Sequence, residues 1–242
     1  GCKMKYEAIL KHLEYAKSAK SNAPQKLSVL HFADLIDFVC SNVILDGSNL
    51  SRLEIQNAIE GDLPVTSTLG ENQMIENYVD VFDYFKKSLS MNYLDEHVFL
   101  KLYHLLTKEY PSYRNRNRVV AKFGYMPPDS AKVSKLLAKL FNAYFRHASD
   151  KTDNKILTAA YLHAEIIKIS PFNAANDSIA RVAMYYFLMQ TGFPPPLLEC
   201  SDKEYIDSMH TYIHYGKIND FYAILENAMY EKLIKVTKLL DH

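Results

Sequence analysis

Between two apolar runs the chain reads Ser170-Pro171-Phe172-Asn173-Ala174-Ala175-Asn176-Asp177-Ser178-Ile179-Ala180-Arg181. The first run covers residues 159–169 and the second covers residues 182–189. The sequence Gly-Phe-Pro-Pro at 192–195 then ends the second predicted helix. A helix, a short polar loop and a second helix form a natural anion site, because the second helix offers free backbone N–H groups and the positive end of its dipole. We therefore expect the other helices to be arranged around this helix–loop–helix unit.

The composition is that of an ordinary soluble globular protein. Of the 242 residues, 48% are hydrophobic and 23% are charged, and 28 basic residues balance 28 acidic ones. A net charge of zero argues against nucleic acid as the main partner. No apolar run stands out at membrane-spanning length, so we expect no membrane partner either. The three cysteines follow no disulfide or metal-ligand spacing and predict reduced thiols in a cytoplasmic protein.

Apolar periodicity predicts an all-α protein. The chain has only 7 glycines and no tryptophan, and it is rich in Leu, Ala and Lys, which favours helices. One short helix is predicted to open with a capping box, in which Ser51 caps the helix and Glu54 follows three residues later. The predicted helices cover residues 5–19, 29–44, 51–60, 71–89, 95–108, 129–144, 153–169, 178–191, 204–215 and 218–240.

One segment, residues 113–128, has a β-like composition. It combines valines and aromatic residues with a glycine at position 124 and ends in two prolines. This pattern is typical of a hairpin, so we expect one short β-hairpin in an otherwise helical chain. The basic residues of the segment are expected on its solvated face, and contact with nucleic acid or an acidic protein is the alternative; they are Arg114, Arg116, Arg118 and Lys122.

The segment 170–181 resembles the signature of the Fic family, His-Pro-Phe-x-(Asp/Glu)-Gly-Asn-Gly-Arg-x-x-Arg. Residues 160–169 resemble the helix that leads into this motif, and residues 192–195 are similar to the family's Gly-Tyr-Pro-Pro exit. The resemblance implies the Fic (Fido) fold, an all-α helical bundle with a short β-hairpin flap. The signature positions that agree are Pro171, Phe172, Asn176 and Arg181.

The resemblance extends over most of the chain, from about residue 37 to about residue 225. Tyr-Arg at 113–114 and Tyr-Met-Pro-Pro at 125–128 match the borders of the family's flap, here about 113–126. A helix at about 29–47 is similar to the family's inhibitory helix, with Asp46 and Gly47 at its characteristic end. The resemblance thus implies N-terminal helices over 1–92 and a Fic core over 93–242.

Fic enzymes transfer a phosphate-containing group, usually AMP from ATP, to a hydroxyl of a target protein. In the family the motif His is the general base, the motif acid holds Mg²⁺, and the glycine backbone and two Arg side chains bind phosphates. In this chain Ser170 stands at the His position, and a serine hydroxyl is no general base near neutral pH. Ala174 stands at the metal-ligand position, and Ser178 stands in place of the first Arg.

Two acidic residues, Asp46 and Asp177, have separate predicted roles near the site. Asp177 stands in place of a glycine at the helix start, where we expect it to cap the helix and fill the anion site with its own carboxylate. Asp46 is expected to form a salt bridge with Arg181 that is loose or bridged by water, since Asp is one methylene shorter than the family's Glu. The predicted remnant of a phosphate or nucleotide site consists of Asn176, Asp177, Ser178 and Arg181.

Ser170 and His163 each have a functional and a structural interpretation. Ser170 would be a nucleophile or phosphate acceptor, or else a polar residue at a helix end, and we favour the second because no base is placed beside it. His163 precedes it by two helical turns, ~10 Å along the axis, so we expect a hydrogen-bonded structural histidine.

Three functions are therefore open. The first is a pseudoenzyme, a binding or regulatory protein that is inactive in AMP transfer and needs no cofactor or metal. The second is a residual or altered transferase of nucleotidyl or other phosphate groups to protein hydroxyls, which would use ATP and Mg²⁺. The third is a peptide-binding module, in which the flap edge around Val119, Val120 and Tyr125 pairs with a strand of a target protein. The resemblance also implies a homodimer.

Overall fold

A computed structural model describes residues 2–242, with side chains described from Lys5 onward. Within that range the chain forms ten α-helices, and two short 3-10 turns lead into the second and the sixth of them. The helices are α1 (Cys2–Ser21), α2 (Leu27–Leu45), α3 (Arg52–Ile59), α4 (Leu69–Ser88), α5 (Glu96–Thr107), α6 (Val133–Ser149), α7 (Lys155–Ile169), α8 (Asn176–Gln190), α9 (Asp202–Tyr215) and α10 (Asn219–Asp241). The predicted all-α class is confirmed.

The pair α7 and α8 forms the centre of the bundle. The two helices pack against each other more extensively than any other pair, and the loop 170–175 joins them. A helix that is apolar on all sides is buried on all sides. Eleven residues of α8 are buried, from Ser178 to Leu188, and α5, α6, α9 and α10 pack around the pair. The expected arrangement around the helix–loop–helix unit is therefore present.

Helix α2 is the most apolar helix at the N-terminal side of the bundle. Residues Pro24–Leu45 are long and apolar enough to cross a membrane by length and composition alone, so the expectation that no run reaches that length is wrong. In this structure, however, Phe38, Val39 and Val43 of α2 are fully buried against neighbouring helices. Asp37 of the same helix is buried as well, and it pairs with Lys232 of α10 at 2.8 Å.

The predicted helix ends agree with the structure to within a few residues, apart from α6, which continues five residues past the predicted Tyr144. The predicted capping box is present: the Ser51 hydroxyl accepts from the Glu54 N–H at 3.1 Å, and the Glu54 carboxylate accepts from the Ser51 N–H at 3.1 Å. A second capping box, between Thr68 and Glu71, opens α4 and was not predicted.

The predicted β-hairpin is wrong for residues 113–126, all of which the structure describes. A single antiparallel bridge between Val120 and Tyr125 closes a tight turn, and Gly124 takes the positive φ of 63° that the turn requires. The chain before the turn bonds elsewhere, since the Arg114 N–H donates to the Pro171 carbonyl at 2.9 Å. After the turn, prolines 127 and 128 have no N–H to donate. A ladder therefore cannot extend beyond one bridge.

One hydrophobic core runs from Ile9 to Leu233 and includes residues from both sides of position 92. Ring contacts show this continuity, since Phe38 of α2 meets Tyr185 of α8 at 5.0 Å between centroids. The division into 1–92 and 93–242 stays a prediction.

Candidate functional site

The loop between α7 and α8 is held in shape by Asn176. Its side-chain oxygen accepts from the Phe172 N–H at 2.9 Å, and its Nδ2 donates to the Phe172 carbonyl at 2.9 Å and to Ser170 Oγ at 3.1 Å. Non-glycine residues with left-handed backbone stand at both ends of the loop, Ser170 with φ 50° and Ala175 with φ 60°. Such a conformation is uncommon for residues with a Cβ atom, so the bonds of Asn176 help to hold a strained turn.

Phe172 anchors the middle of the loop in the core. Its ring stacks on Tyr103 of α5 with centroids 3.6 Å apart, and it also contacts Phe99. The Tyr103 hydroxyl donates to the Ala174 carbonyl at 3.1 Å, so α5 fixes both the ring and the backbone of the loop. Because aromatic burial is the largest apolar contribution of the loop, this contact sets its position relative to α5.

Arg181 is fully buried below the start of α8 and is bound by two carboxylates. Its Nη2 pairs with Asp46 from the end of α2, and its Nη1 lies 3.7 Å from Asp177 Oδ2. Its Nε donates to Asn42 Oδ1 at 2.9 Å, and its Nη1 donates to the Tyr205 hydroxyl at 3.4 Å. The predicted pairing of Asp46 with Arg181 is confirmed. The expectation of a loose or water-bridged contact is wrong, because the two groups touch directly.

The pKa values of the pair Asp177 and Arg181 follow from this arrangement. Burial by itself would lower the pKa of Arg181, but the carboxylate of Asp46, with that of Asp177, holds it well above the ordinary arginine value. Burial by itself would raise the pKa of Asp177, but Arg181 and Lys122 outweigh it and keep the pKa below the ordinary value. Both groups are therefore charged near neutral pH.

Asp177 does not cap α8, which corrects the sequence-based expectation. The N-cap position is Ala175, which has no side-chain oxygen, and Asp177 lies inside the first turn. Its carboxylate accepts from Lys122 Nζ at 2.7 Å, so it joins the turn at 120–125 to the helix start. Ala175 takes the cap position because its left-handed backbone already turns the chain into the helix.

A cavity of about 510 Å³ opens beside these acids, and we call it the acid-lined cavity. Ser178 lies on its wall and donates to Asp46 Oδ1 at 2.7 Å, and the Tyr78 hydroxyl donates to the other Asp46 oxygen. Asp46 thus accepts from Arg181, Ser178 and Tyr78 at once. The cavity is lined by Leu45, Asp46, Gly70, Gln73, Met74, Asn77, Tyr78, Leu106, Thr107, Lys122, Ala175, Asp177 and Ser178.

A smaller pocket of about 250 Å³ shares no lining residue with the acid-lined cavity, and we call it the arginine-lined pocket. Arg114 and Arg118 contribute to its wall, and no Asp or Glu does so in the described part of the chain. Ser170 lies on the same wall with a buried side chain. The lining residues are Arg114, Arg118, Val119, Val120, Pro127, Ser170, Phe172, Asn173 and Asn176.

Arg114 is buried, so the expectation that the basic residues of the segment 113–128 lie on its solvated face is wrong for Arg114. It is 4% exposed, and its guanidinium donates to four carbonyls, those of Ser170 at 2.5 Å, Arg116 at 3.0 Å, Pro128 at 2.5 Å and Ile169 at 3.1 Å. Two of these carbonyls are at the C-terminus of α7, where the helix dipole favours a cation. The Tyr-Arg pair at 113–114 marks the start of the flap in the family resemblance, but it does not indicate that Arg114 turns inward to these carbonyls.

Comparison with known proteins relates part of the chain to a known family. Residues 93–188 match the sequence model of the Fic/DOC family. The matched segment includes the whole loop between α7 and α8. A comparison with curated proteins finds no significant match. The fold of this chain is similar to that of a Fic domain containing signaling protein from Bacteroides thetaiotaomicron. The two chains are 16% identical, the TM-score is 0.82, and the alignment covers 98% of each chain.

Two further solved Fic structures share the fold. A Fic family protein from Desulfovibrio desulfuricans is 14% identical to this chain, with a TM-score of 0.75. The alignment covers 97% of this chain and 74% of the Desulfovibrio chain. Fic-1 (residues 134–508) from C. elegans is 16% identical to this chain, with a TM-score of 0.73. The alignment covers 97% of this chain and 73% of the Fic-1 chain. At these identities the likeness shows the fold alone.

The donor set at this Fic loop does not fit a bound Mg²⁺. Ala174 ends in a methyl group, and the Asp177 carboxylate already pairs with Lys122 and Arg181. Among the described residues no group of three or more His, Cys, Asp or Glu side chains could hold a metal ion. A magnesium ion prefers carboxylates and waters in octahedral geometry, which a neutral methyl and a cation-paired acid do not supply.

The histidine nearest to the loop in sequence, His163, is fully buried in the Fic fold. Its Nε2 is bonded to the Tyr205 hydroxyl at 2.6 Å, and its ring stacks on Phe221 with centroids 4.3 Å apart. Burial, with the nearby Arg181 cation, lowers the pKa of His163 well below the ordinary histidine value. The predicted hydrogen-bonded structural role agrees with these contacts.

Proposed function

We propose that the chain is a Fic-fold binding or regulatory protein that does not transfer AMP. The observation that carries this proposal is the state of Arg181. Its guanidinium is bound by Asp46 and Asp177 and is fully buried. An arginine that is already neutralised by two carboxylates has little left to offer a phosphate, and the same carboxylates repel one.

The start of the loop, at Ser170, supports the same proposal. Ser170 stands where the family pattern has its base, and its Oγ is bonded to Asn176. His163 is bonded to Tyr205 and is neutral, so it supplies no base to Ser170. The proposed binding or regulatory function needs no cofactor. ATP and Mg²⁺ would enter only if residual or altered transfer, the alternative function, were present.

The proposal is tested by nucleotide binding and label transfer. We expect no change in melting temperature with ATP and Mg²⁺, whereas a ligand at 100-fold its Kd would raise it by roughly 5–10 °C. We also expect no transfer of labelled AMP to the chain itself or to lysate proteins. Transfer by the wild-type chain would overturn the proposal and favour the transferase.

A double variant tests whether the carboxylates are the cause. Asp46→Asn with Asp177→Asn keeps the side-chain shapes and removes both charges beside Arg181. We expect this variant to gain stabilisation by ATP while still transferring no label, because Ser170 is unchanged. The matched control is Asp220→Asn with Asp241→Asn, which changes the net charge equally on α10. Equal behaviour of the two double variants would show that the carboxylates do not exclude ATP.

A second candidate, a peptide-binding module, is favoured by one observation. The backbone N–H groups of residues 115–119 have no hydrogen-bond partner within the described structure, and the Val119 side chain is 59% exposed. An extended segment with free N–H groups can pair with a strand from a partner. Cytoplasmic location and a homodimer stay predictions beside either function.

Peptide selection tests this second candidate. Peptides selected from a random dodecapeptide library on the immobilised full chain should lose binding to Val119→Pro, which removes one N–H from the free edge. They should keep binding to Val119→Thr, which keeps the N–H and the branched shape. Peptides that bind Val119→Pro as well as the wild type would exclude pairing with this edge.

A further inference from the structure

The arginine-lined pocket has an electrostatic character opposite to that of the acid-lined cavity. Arg114 and Arg118 lie on its wall, and neither forms a salt bridge with any carboxylate of the described residues. Arg114 in particular is buried with no carboxylate within salt-bridge distance, and Asp129 acts on it only from farther away. A buried cation that is bonded directly only to carbonyl oxygens favours the approach of an anion, because the low local dielectric strengthens their attraction.

The pocket also has donors left for a ligand. A guanidinium has five N–H donors, and the four bonds of Arg114 to carbonyls leave one N–H at Nη1 without a partner in the described structure. Arg118 is exposed and donates only to the Asn173 carbonyl, so most of its donors are free. The Asn173 side chain is on the same wall, whereas the Ser170 hydroxyl there is already bonded to Asn176 and Tyr125.

From this geometry we propose that the arginine-lined pocket binds a phosphoryl group. Its volume of about 250 Å³ is several times the ~30 Å³ that a water occupies in the liquid, so a tetrahedral oxyanion has room. Two guanidinium groups match the charge of close to −2 and the three acceptor oxygens of a phosphate monoester. Arg114 is held in place by its carbonyl bonds, and this fixed orientation reduces the entropy that binding loses.

The phosphoryl group can come from two sources with the same chemistry. One is free inorganic phosphate, and the other is a phosphorylated side chain of a partner protein that lies against residues 115–119. Asp46 and Asp177 line the acid-lined cavity and do not line this pocket. Binding there does not depend on whether the chain transfers AMP, so the two proposals can fail separately.

The test is an NMR titration of the ¹⁵N-labelled full chain at constant ionic strength, with potassium phosphate in one arm and N-acetylphosphoserine amide in the other. We expect saturable shifts confined to residues 114–120 and 170–176. Tighter binding of the phosphoserine compound would indicate a phosphorylated side chain, and tighter binding of phosphate would indicate the free anion. The absence of saturable shifts in both arms would overturn the proposal.

Two arginines two residues apart provide a matched pair of variants. Arg118→Gln removes a pocket cation and should weaken binding about tenfold or more, since a hydrogen bond to a charged group contributes about 1.5–3 kcal/mol. Arg116→Gln removes the same charge from an exposed side chain that does not line the pocket and should change affinity less than about twofold. Equal weakening by both variants would mean general attraction to a basic segment and would exclude the pocket. Both side chains are exposed, so both variants should fold.

Discussion

The two cavities that flank the loop 170–176 use arginine in opposite ways. Beside the acid-lined cavity, Arg181 is surrounded by the carboxylates of Asp46 and Asp177. Beside the arginine-lined pocket, Arg114 is equally inaccessible to solvent but is bound only by carbonyl oxygens. The partner of a buried arginine, and not its burial, therefore decides whether its surroundings repel or attract an anion.

The pKa shifts of the two arginines express the same contrast. Burial lowers the pKa of Arg114, and nearby Tyr125 and Asp129 offset this only in part. Around Arg181 the carboxylate of Asp46 more than reverses the effect of burial, so its pKa is raised. Arginine stays protonated in both sites. One site therefore holds a compensated charge, and the other holds a charge that a ligand can still compensate.

The largest expected effect is the loss of Arg181. Arg181→Met keeps the length of the stem but leaves the carboxylates of Asp46 and Asp177 without their cation. Breaking one partner of a buried ion pair costs about 3–5 kcal/mol. Urea unfolding monitored by circular dichroism measures the change, and Arg146→Met on the exposed side of α6 should change stability by less than about 0.5 kcal/mol. A loss of under about 1 kcal/mol in Arg181→Met would show that the two carboxylates do not depend on it.

A smaller effect is expected for Arg114. Arg114→Met leaves carbonyls without a donor, but these groups are neutral, so the expected loss is about 1–3 kcal/mol. The same unfolding experiment applies, with Arg116→Met as the control because that side chain is exposed. If Arg114→Met proved more damaging than Arg181→Met, the proposed difference between a charged and a neutral surrounding would be wrong.

The acid-lined cavity also predicts a pH dependence. The pKa of Asp177 is lower in the folded chain than the unfolded value of about 3.9. Its ionisation therefore stabilises the fold above that unfolded value, and the contribution is lost as the pH falls through the lower folded value. Asp177→Asn should be less stable than the wild type at pH 6, and the difference should shrink as the pH approaches 3.

Unfolding curves at several pH values measure this difference. Asp220→Asn, in the first turn of α10, controls for the change in net charge. A stability difference between wild type and Asp177→Asn that stays constant from pH 6 to pH 3 would contradict the assignment.

The smallest effect is expected for Lys122, which joins the turn at 120–125 to Asp177 at 2.7 Å. The lysine side chain is 39% exposed, so Lys122→Met should cost at most about 1 kcal/mol. Because an exposed pair is screened, 1 M salt should reduce the difference between variant and wild type. Lys203→Met, at a more exposed pair with Asp207, provides the control. A larger loss that salt does not change would point to the contacts of the Lys122 ammonium group with the rings of Phe123 and Tyr205.

Local patterns predicted much of this structure. Apolar periodicity placed the helices, and the capping signal at Ser51 and Glu54 is present as expected. The Fic signature identified the loop and its neighbour α2, including the contact of Asp46 with Arg181. That contact was predictable because both residues occupy positions that the family resemblance links.

Other features escaped the sequence because they depend on competing partners. Asp177 was expected to cap α8, but Lys122 and Arg181 attract its carboxylate and Ala175 takes the cap position. The hairpin was expected from valine and aromatic content, but the Arg114 N–H bonds to Pro171 and not to a neighbouring strand. In both cases a tertiary partner replaced the local one.

The sequence alone predicted the helices and the Fic-like loop, since each depends on residues within a few turns of one another. That position 170 holds serine and not histidine is read directly from the sequence. Which arginine pairs with carboxylates and which is bonded to carbonyl oxygens alone depends on the tertiary structure. Asp46 and Arg181 are 135 residues apart, and the carbonyls around Arg114 come from both the end of α7 and the segment after the turn. Charges become partners only when packing brings such distant segments together, because Coulomb attraction and hydrogen bonding act over a few ångströms and not along the chain.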